Sequence, residues 1–229
     1  MEKVILFPLL LGLTLVGYIL GVWVRRITRR VWLNPLITGS IFIIAVIMIF
    51  GIPFEMYEKA NTPMRFLMDL SVVSLGWLLY DRMDELKKTI LPIIVSSVVG
   101  AIVAMLSVSA VFLLFDAPKD LVVSVIPKSI TAPIAIRLSQ SYGGLESITA
   151  VAVFLTGVFG AFAAPFFLGK IGVDSPVAKG LAIGCSSHAI GTSRAIELGA
   201  VEGALSGLAI GIMGACTAVL YPLYVLIFY

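Results

Sequence analysis

Charge is what this sequence has least of. Asp, Glu, Lys and Arg make up 13% of its 229 residues, about half the share usual in a soluble domain and too little to coat a globule. Histidine occurs once and cysteine twice. The two cysteines, Cys185 and Cys216, lie in apolar or small-residue stretches without ligand spacing, so neither a disulfide framework nor a metal site is expected. No G-x-S-x-G, H-E-x-x-H or P-loop string is present. Neither an enzyme nor a cofactor is therefore expected. The net charge of +3 reflects loop residues and gives no surface for nucleic acid.

Hydrophobic residues fill the space that charge leaves. They are 60% of the chain, and the mean hydropathy is +1.10. Apolar runs of about 20 residues, enough to cross a hydrocarbon core about 30 Å thick, recur along the whole length. They are continuous, whereas spanning β-strands alternate. The expected class is all-α, a polytopic membrane helical bundle. Eight hydrophobic segments are expected at 4–24, 32–52, 65–80, 90–115, 121–138, 147–169, 177–197 and 203–228. The connections are short, so residues 1–229 read as a single integral membrane domain: a first helix and basic loop at 1–30, then a core at 31–229. The first run is longer than a signal-peptide h-region and reads as a retained helix. RRITRR at 25–30 carries four arginines and is expected on the cytoplasmic side; the N-terminus then lies outside.

Three segments are shorter or more polar than a spanning helix needs, and two or three broken or re-entrant helices are expected. Segment 65–80 holds Asp69, Ser71 and Ser74, segment 121–138 contains IPKSITAPIAI, and segment 177–197 contains GCSSHAIGTSR. PKSITAPIAIRL (127–138) lines up with SHAIGTSRAIEL (187–198), and TGVFGAFAAP (156–165) with GIMGACTAVLYP (211–222). The pattern suggests an internal repeat of a broken helix followed by a packed helix, a mark of secondary transporters.

The candidate substrate-binding residues come from these interruptions. In the first, Pro127 and Pro133 remove backbone donors, and freed backbone in a bilayer survives only where protein or water covers it. Lys128, Ser129 and Thr131 would line the resulting gap; otherwise Lys128 snorkels to the interface and Pro133 is an ordinary kink. In the second, Ser187, His188, Gly191, Thr192 and Arg194 are candidates. A helix N-terminus at a break attracts an anion, and Arg194 offers a two-pronged carboxylate contact. The alternatives are a packing histidine bonded to a neighbouring carbonyl, and an Arg194 paired with Glu197 or Glu202 at the membrane surface. Asn34, Asp69, Glu197 and Glu202 are candidate coupling or accessory residues, Asn34 also as a helix start and Asp69 also beside Arg65 at the interface.

The strings NPLITGSI (34–41), GIPFEMYEKA (51–60), IPKSITAPIAIRLSQSYGGLESITAVAVFLTGVFGA (126–161) and VAKGLAIGCSSHAIGTSRAIELGAVEGALSGLAIGIMG (177–214) resemble the LrgB/CidB family of bacterial membrane proteins. The resemblance covers about residues 30–228. It departs in MDLSVVSLGWLLY, where family members commonly carry prolines near the positions of Leu70 and Leu78. It implies a multi-pass protein of the bacterial cytoplasmic (inner) membrane, partnered by a small LrgA/CidA-like membrane protein and with homo-oligomers possible. Two functions follow from it. One is transport of small monocarboxylates, of pyruvate, glycolate or glycerate type, as in the LrgB-like part of the plastidial glycolate/glycerate translocator. The other is antiholin-like regulation of murein hydrolase activity and cell lysis. The transport reading, a secondary carrier with an anion site at the broken helices, uses more of the polar residues and is the expectation taken forward.

Overall fold

Six of the expected hydrophobic segments are single helices in the computed structural model, which describes residues 2–28, 33, 35–81 and 83–229. They are α1 (Glu2–Thr28), α2 (Pro35–Ile49), α4 (Thr62–Asp81), α5 (Met83–Leu114), α8 (Glu146–Lys170) and α10 (Ala200–Phe228). The segment at 121–138 is two short helices, α6 (Lys119–Val125) and α7 (Ala132–Ser141), while the one at 177–197 is a kinked helix, α9 (Pro176–Leu198). A further short helix, α3 (Phe54–Ala60), occupies a stretch read as a loop. Its start after Pro53 suits a residue pair that fixes an extended backbone before the first turn. The third expected break is absent: α4 is one helix, and MDLSVVSLGWLLY contains no proline to interrupt it. Among the described residues there is no strand, and α1, α5, α8 and α10 each carry a stretch long and apolar enough to cross a membrane. The protein is a helical membrane bundle.

The helices pack as two compact units, Met1–Ser71 and Val72–Tyr229. In the first, α1 and α2 meet through glycine. A Cβ at Gly21 would lie 2.3 Å from the carbonyl oxygen of Pro35, and one at Gly39 would lie 2.7 Å from that of Gly17. Gly17 and Gly21 are four residues apart on one helix face, the small-residue spacing that lets two membrane helices touch along their backbones. A polar chain then ties α1 to the α3–α4 corner. The Tyr57 hydroxyl donates to Thr14 Oγ1 at 2.8 Å, and Thr14 donates to Asn61 Oδ1 at 2.7 Å.

In the second unit α9 and α10 form a tight helical pair joined at Gly199, and α5 and α8 pack against them. The core runs through Ile93, Ala101 and Met105 of α5, Val122 and Val123 of α6, Ile126 and Ile130 between α6 and α7, and Met213, Tyr221 and Val225 of α10. Two helix breaks sit inside this unit, and each has a local cause and a distant support.

The first break covers residues 126–131. In a continuing helix the carbonyl of Val123 would accept from the residue at position 127, but that residue is Pro127, which has no N–H. The Tyr221 hydroxyl of α10 donates to this carbonyl instead, at 2.9 Å. Tyr221 is fully buried and stands edge-on to Tyr142. Pro133 lies in the first turn of α7, just after the N-cap Thr131. There its missing N–H costs nothing and its fixed φ starts the new helix, so the gap lies on its N-terminal side. The second break is at His188, whose φ of 41° and ψ of −141° are non-helical. L side chains rarely adopt such a φ. The conformation is held from two sides: His188 Nε2 donates to the carbonyl of Val153 on α8 at 2.9 Å, and Thr192 Oγ1 donates to the His188 carbonyl at 3.0 Å.

Two measurements check these supports. Tyr221→Phe leaves the Val123 carbonyl buried without this donor and is expected to cost about 1–3 kcal/mol, seen as a lower melting temperature in detergent. Tyr224→Phe, on the same helix, is expected to melt like the unmodified chain. At position 188, β-branched valine is least compatible with the positive φ. His188→Val is therefore expected to be less stable than His188→Gly by about 1–3 kcal/mol, although valine buries more apolar surface; equal melting temperatures would show that the kink carries no strain.

Candidate functional site

The two breaks open onto one cavity. Its volume is about 770 Å³, and its lining comes from α5, the α6–α7 break, α8 and α9. From the first break come Lys128 and Ser129, and from the second come Ser186 and Ser187. α5 adds Ser96, Val99, Gly100, Val103 and Ala104, and α8 adds Thr156, Phe159, Gly160, Ala163, Ala164 and Phe167. Leu181, Ala182 and Cys185 complete the α9 side. Among the described residues of this lining, Lys128 is the one that is charged, and none is a carboxylate.

The cavity has polar groups because the breaks place them there. Lys128 Nζ donates to Ser129 Oγ at 3.4 Å, and Ser187 Oγ is 3.0 Å from Ser186 Oγ. Glycine sets how closely α8 approaches α9. A Cβ at Gly160 would fall 1.7 Å from Ser187 Oγ, and one at Gly157 would fall 2.5 Å from His188 Cε1. A larger residue at Gly160 would force Ser187 to shift, and one at Gly157 would displace the His188 ring.

Of the residues expected to bind substrate, Lys128, Ser129 and Ser187 are brought to this cavity. His188 is buried directly behind Ser187, with Nε2 bonded to the α8 backbone. It has the geometry of the packing histidine. Thr192 is buried beside it and accepts from Ser206 Oγ of α10 at 2.6 Å. Gly191 packs against Ser187 and Ile183 inside the kink, where a Cβ would fall 2.4 Å from Ser187 Cβ. Thr131 is the N-cap of α7, its hydroxyl buried without a hydrogen-bond partner, and Pro133 is in the first turn of that helix. None of these five lines the cavity.

Arg194 sits apart from the cavity. Its guanidinium pairs with Glu197 Oε2 at 2.6 Å, both side chains partly exposed. This is the surface pair set against the substrate role for Arg194 in the sequence, and an exposed pair of this kind contributes little stability. Glu202 lies in the first turn of α10, its carboxylate against Gly199. Asn34 and the side chain of Asp69 lie outside the described residues.

The sequence reading missed the α8 wall, Cys185 and Ser186, and also the α5 wall. The signal for α5 was present in SSVVGAIVA (96–104), where serine, glycine and alanine interrupt a bulky run at helical spacing. Small residues in a membrane helix mark close packing or a gap, and only the neighbouring helices decide which.

The arrangement is chemically simple: a lone ammonium and a few hydroxyls in a large apolar cleft between helices. Among the described residues no group of three or more His, Cys, Asp or Glu is placed to hold a metal ion. The LrgB-like family matches residues 14–227. The chain is 32% identical to the holin-like protein CidB of Staphylococcus epidermidis over 221 residues, 96% of each protein. It is 31% identical to CidB of Staphylococcus aureus, again over 96% of both. It is 30% identical to the uncharacterized protein YxaC of Bacillus subtilis over the full length of both. No solved structure matches it. With its apolar helices and its holin-like bacterial relatives, the chain is a multi-pass bacterial membrane protein and belongs to the LrgB-like family.

Proposed function

We propose that the protein is an antiholin-like regulator of murein hydrolase activity and cell lysis, acting in the cytoplasmic membrane with a small holin-like membrane protein. The observation that carries this reading is the near full-length similarity to proteins named holin-like. It displaces the carrier expectation from first place, because none of the relatives named here carries a transport name. In this reading the apolar helices span the bilayer, the α1 end with Arg25 and Arg26 faces the cytoplasm, and the chain performs no catalysis.

A specific observation favours a second reading, carriage of a small monocarboxylate. Both helix breaks line one cavity, and that cavity holds an ammonium with no carboxylate among the described residues of its lining. An anion there would gain the charge of Lys128 and the hydroxyls of Ser129 and Ser187. Relative movement of the helices around a site at broken helices is how alternating access is built in secondary transporters.

The two readings separate in one paired experiment. Bacteria deleted for the chain are expected to change their rate of detergent-induced autolysis, and both the unmodified chain and Lys128→Ala are expected to restore it. Unchanged autolysis would count against regulation of lysis. If proteoliposomes then take up pyruvate, glycolate or glycerate saturably, and Lys128→Ala abolishes uptake, the carrier reading replaces it. The liposomes are prepared with and without the small membrane partner, so that a requirement for the partner is not scored as absence of transport.

A further inference from the structure

The cavity is far larger than a three-carbon acid. At about 30 Å³ per water molecule, its 770 Å³ would hold roughly 25 waters. Its walls are unsuited to so much water, since most of the lining is apolar. The residues that form the walls are also on the outside of the bundle. Val99 and Val103 of α5 are more than half exposed, as are Phe159 and Phe167 of α8, Phe159 reaching 72%. In a bilayer such side chains face acyl chains. The same four residues therefore belong both to the exposed surface of helices long and apolar enough to span a membrane and to the cavity lining. Lys128 also lines the cavity, with no carboxylate partner among the described residues. A positive charge at membrane depth is costly when unpaired, so the complement of this cleft is a negative head attached to an apolar chain.

We propose that the cavity is a lateral binding site for an anionic amphiphile, a carboxylate or phosphate head on an acyl chain. The head binds at Lys128, Ser129 and Ser187, and the chain lies along Val99, Val103, Phe159 and Phe167. The ligand enters from the bilayer, with no need of an aqueous vestibule. The proposal concerns occupancy of the cavity and holds whether the protein regulates lysis or carries small acids.

Cys185 provides the readout, because it lines the cavity and Cys216 does not. The full-length Cys216→Ser protein is placed in phosphatidylcholine nanodiscs, and the rate of Cys185 labelling by N-ethylmaleimide is followed. Laurate is expected to slow labelling saturably, whereas dodecanol at the same free concentration and pyruvate are not. Across a series of fatty acids the protecting concentration, counted as free acid in water, is expected to fall about fourfold per added CH₂ until the chain fills the cleft. Lys128→Gln is expected to lose protection by laurate and Lys128→Arg to keep it, which separates a lost charge from a lost fold. Slowing by phosphatidylglycerol, without added fatty acid, would support the site with a bilayer lipid as the source. Equal slowing by laurate and dodecanol would overturn the proposal, as would no slowing by any of the three amphiphiles. So would slowing only by the co-expressed small membrane protein, which would make the cleft the seat of a partner helix. Because labelling measures occupancy alone, failure here leaves the autolysis and uptake results untouched.

Discussion

A carbonyl oxygen that lost its donor organises the second unit of this protein. Pro127 cannot supply the N–H that Val123 would receive in a continuing helix, and hydrocarbon offers no water to replace it. The hydroxyl of Tyr221 fills the position. That one bond holds α6 against α10 and lets the chain leave the helix at residue 126. Residues 126–131 then cross the core as irregular backbone. The serines nearby extend the same solution. Ser124 Oγ accepts from the N–H of Leu145 at 2.7 Å, fixing α6 to the turn before α8.

The second break is met by a reciprocal device. At the first, a side chain of α10 satisfies the backbone of α6; at the second, the side chain of His188 bonds to the backbone of α8. Glycines serve both contacts. Gly157 and Gly160 of α8 receive the break in α9, and Gly214 of α10 receives Ile134, just past the break that precedes α7. The two halves aligned in the sequence, a broken helix followed by a long one, thus pack each break against the long helix of the other half. In that alignment Lys128 and His188 occupy equivalent places, yet they end differently. Lys128 lines the cavity, whereas His188 is spent on holding the kink.

This division bears on function. A site built from two breaks has its polar atoms placed by backbone that is itself braced from other helices. The break beside Ser187 is braced from α8 through His188, and the one beside Lys128 from α10 through Tyr221. Arg194 and Glu197 stay outside this site as an exposed ion pair.

Composition and pattern alone determined the membrane class, the positions of most helices and the location of two breaks. Each of these is written locally: a long apolar run has only one way to satisfy its backbone in lipid, and lysine, serine or glycine within it marks a place where that fails. Proline was a weaker guide. Pro92, Pro165 and Pro222 lie inside unbroken helices, while the break at His188 contains no proline. Serine and glycine were no surer: α4 is one helix although it contains Ser71, Ser74 and Gly76. What only the tertiary structure decided was which groups meet. Tyr221 and Val123 are 98 residues apart and His188 and Val153 are 35 apart, and no local pattern encodes a partner at that distance. The α5 wall of the cavity, and the separation of Arg194 from Lys128, follow from helix packing in the same way. Small residues allow two helices to approach, but the neighbouring helices decide whether the approach closes or leaves a cleft.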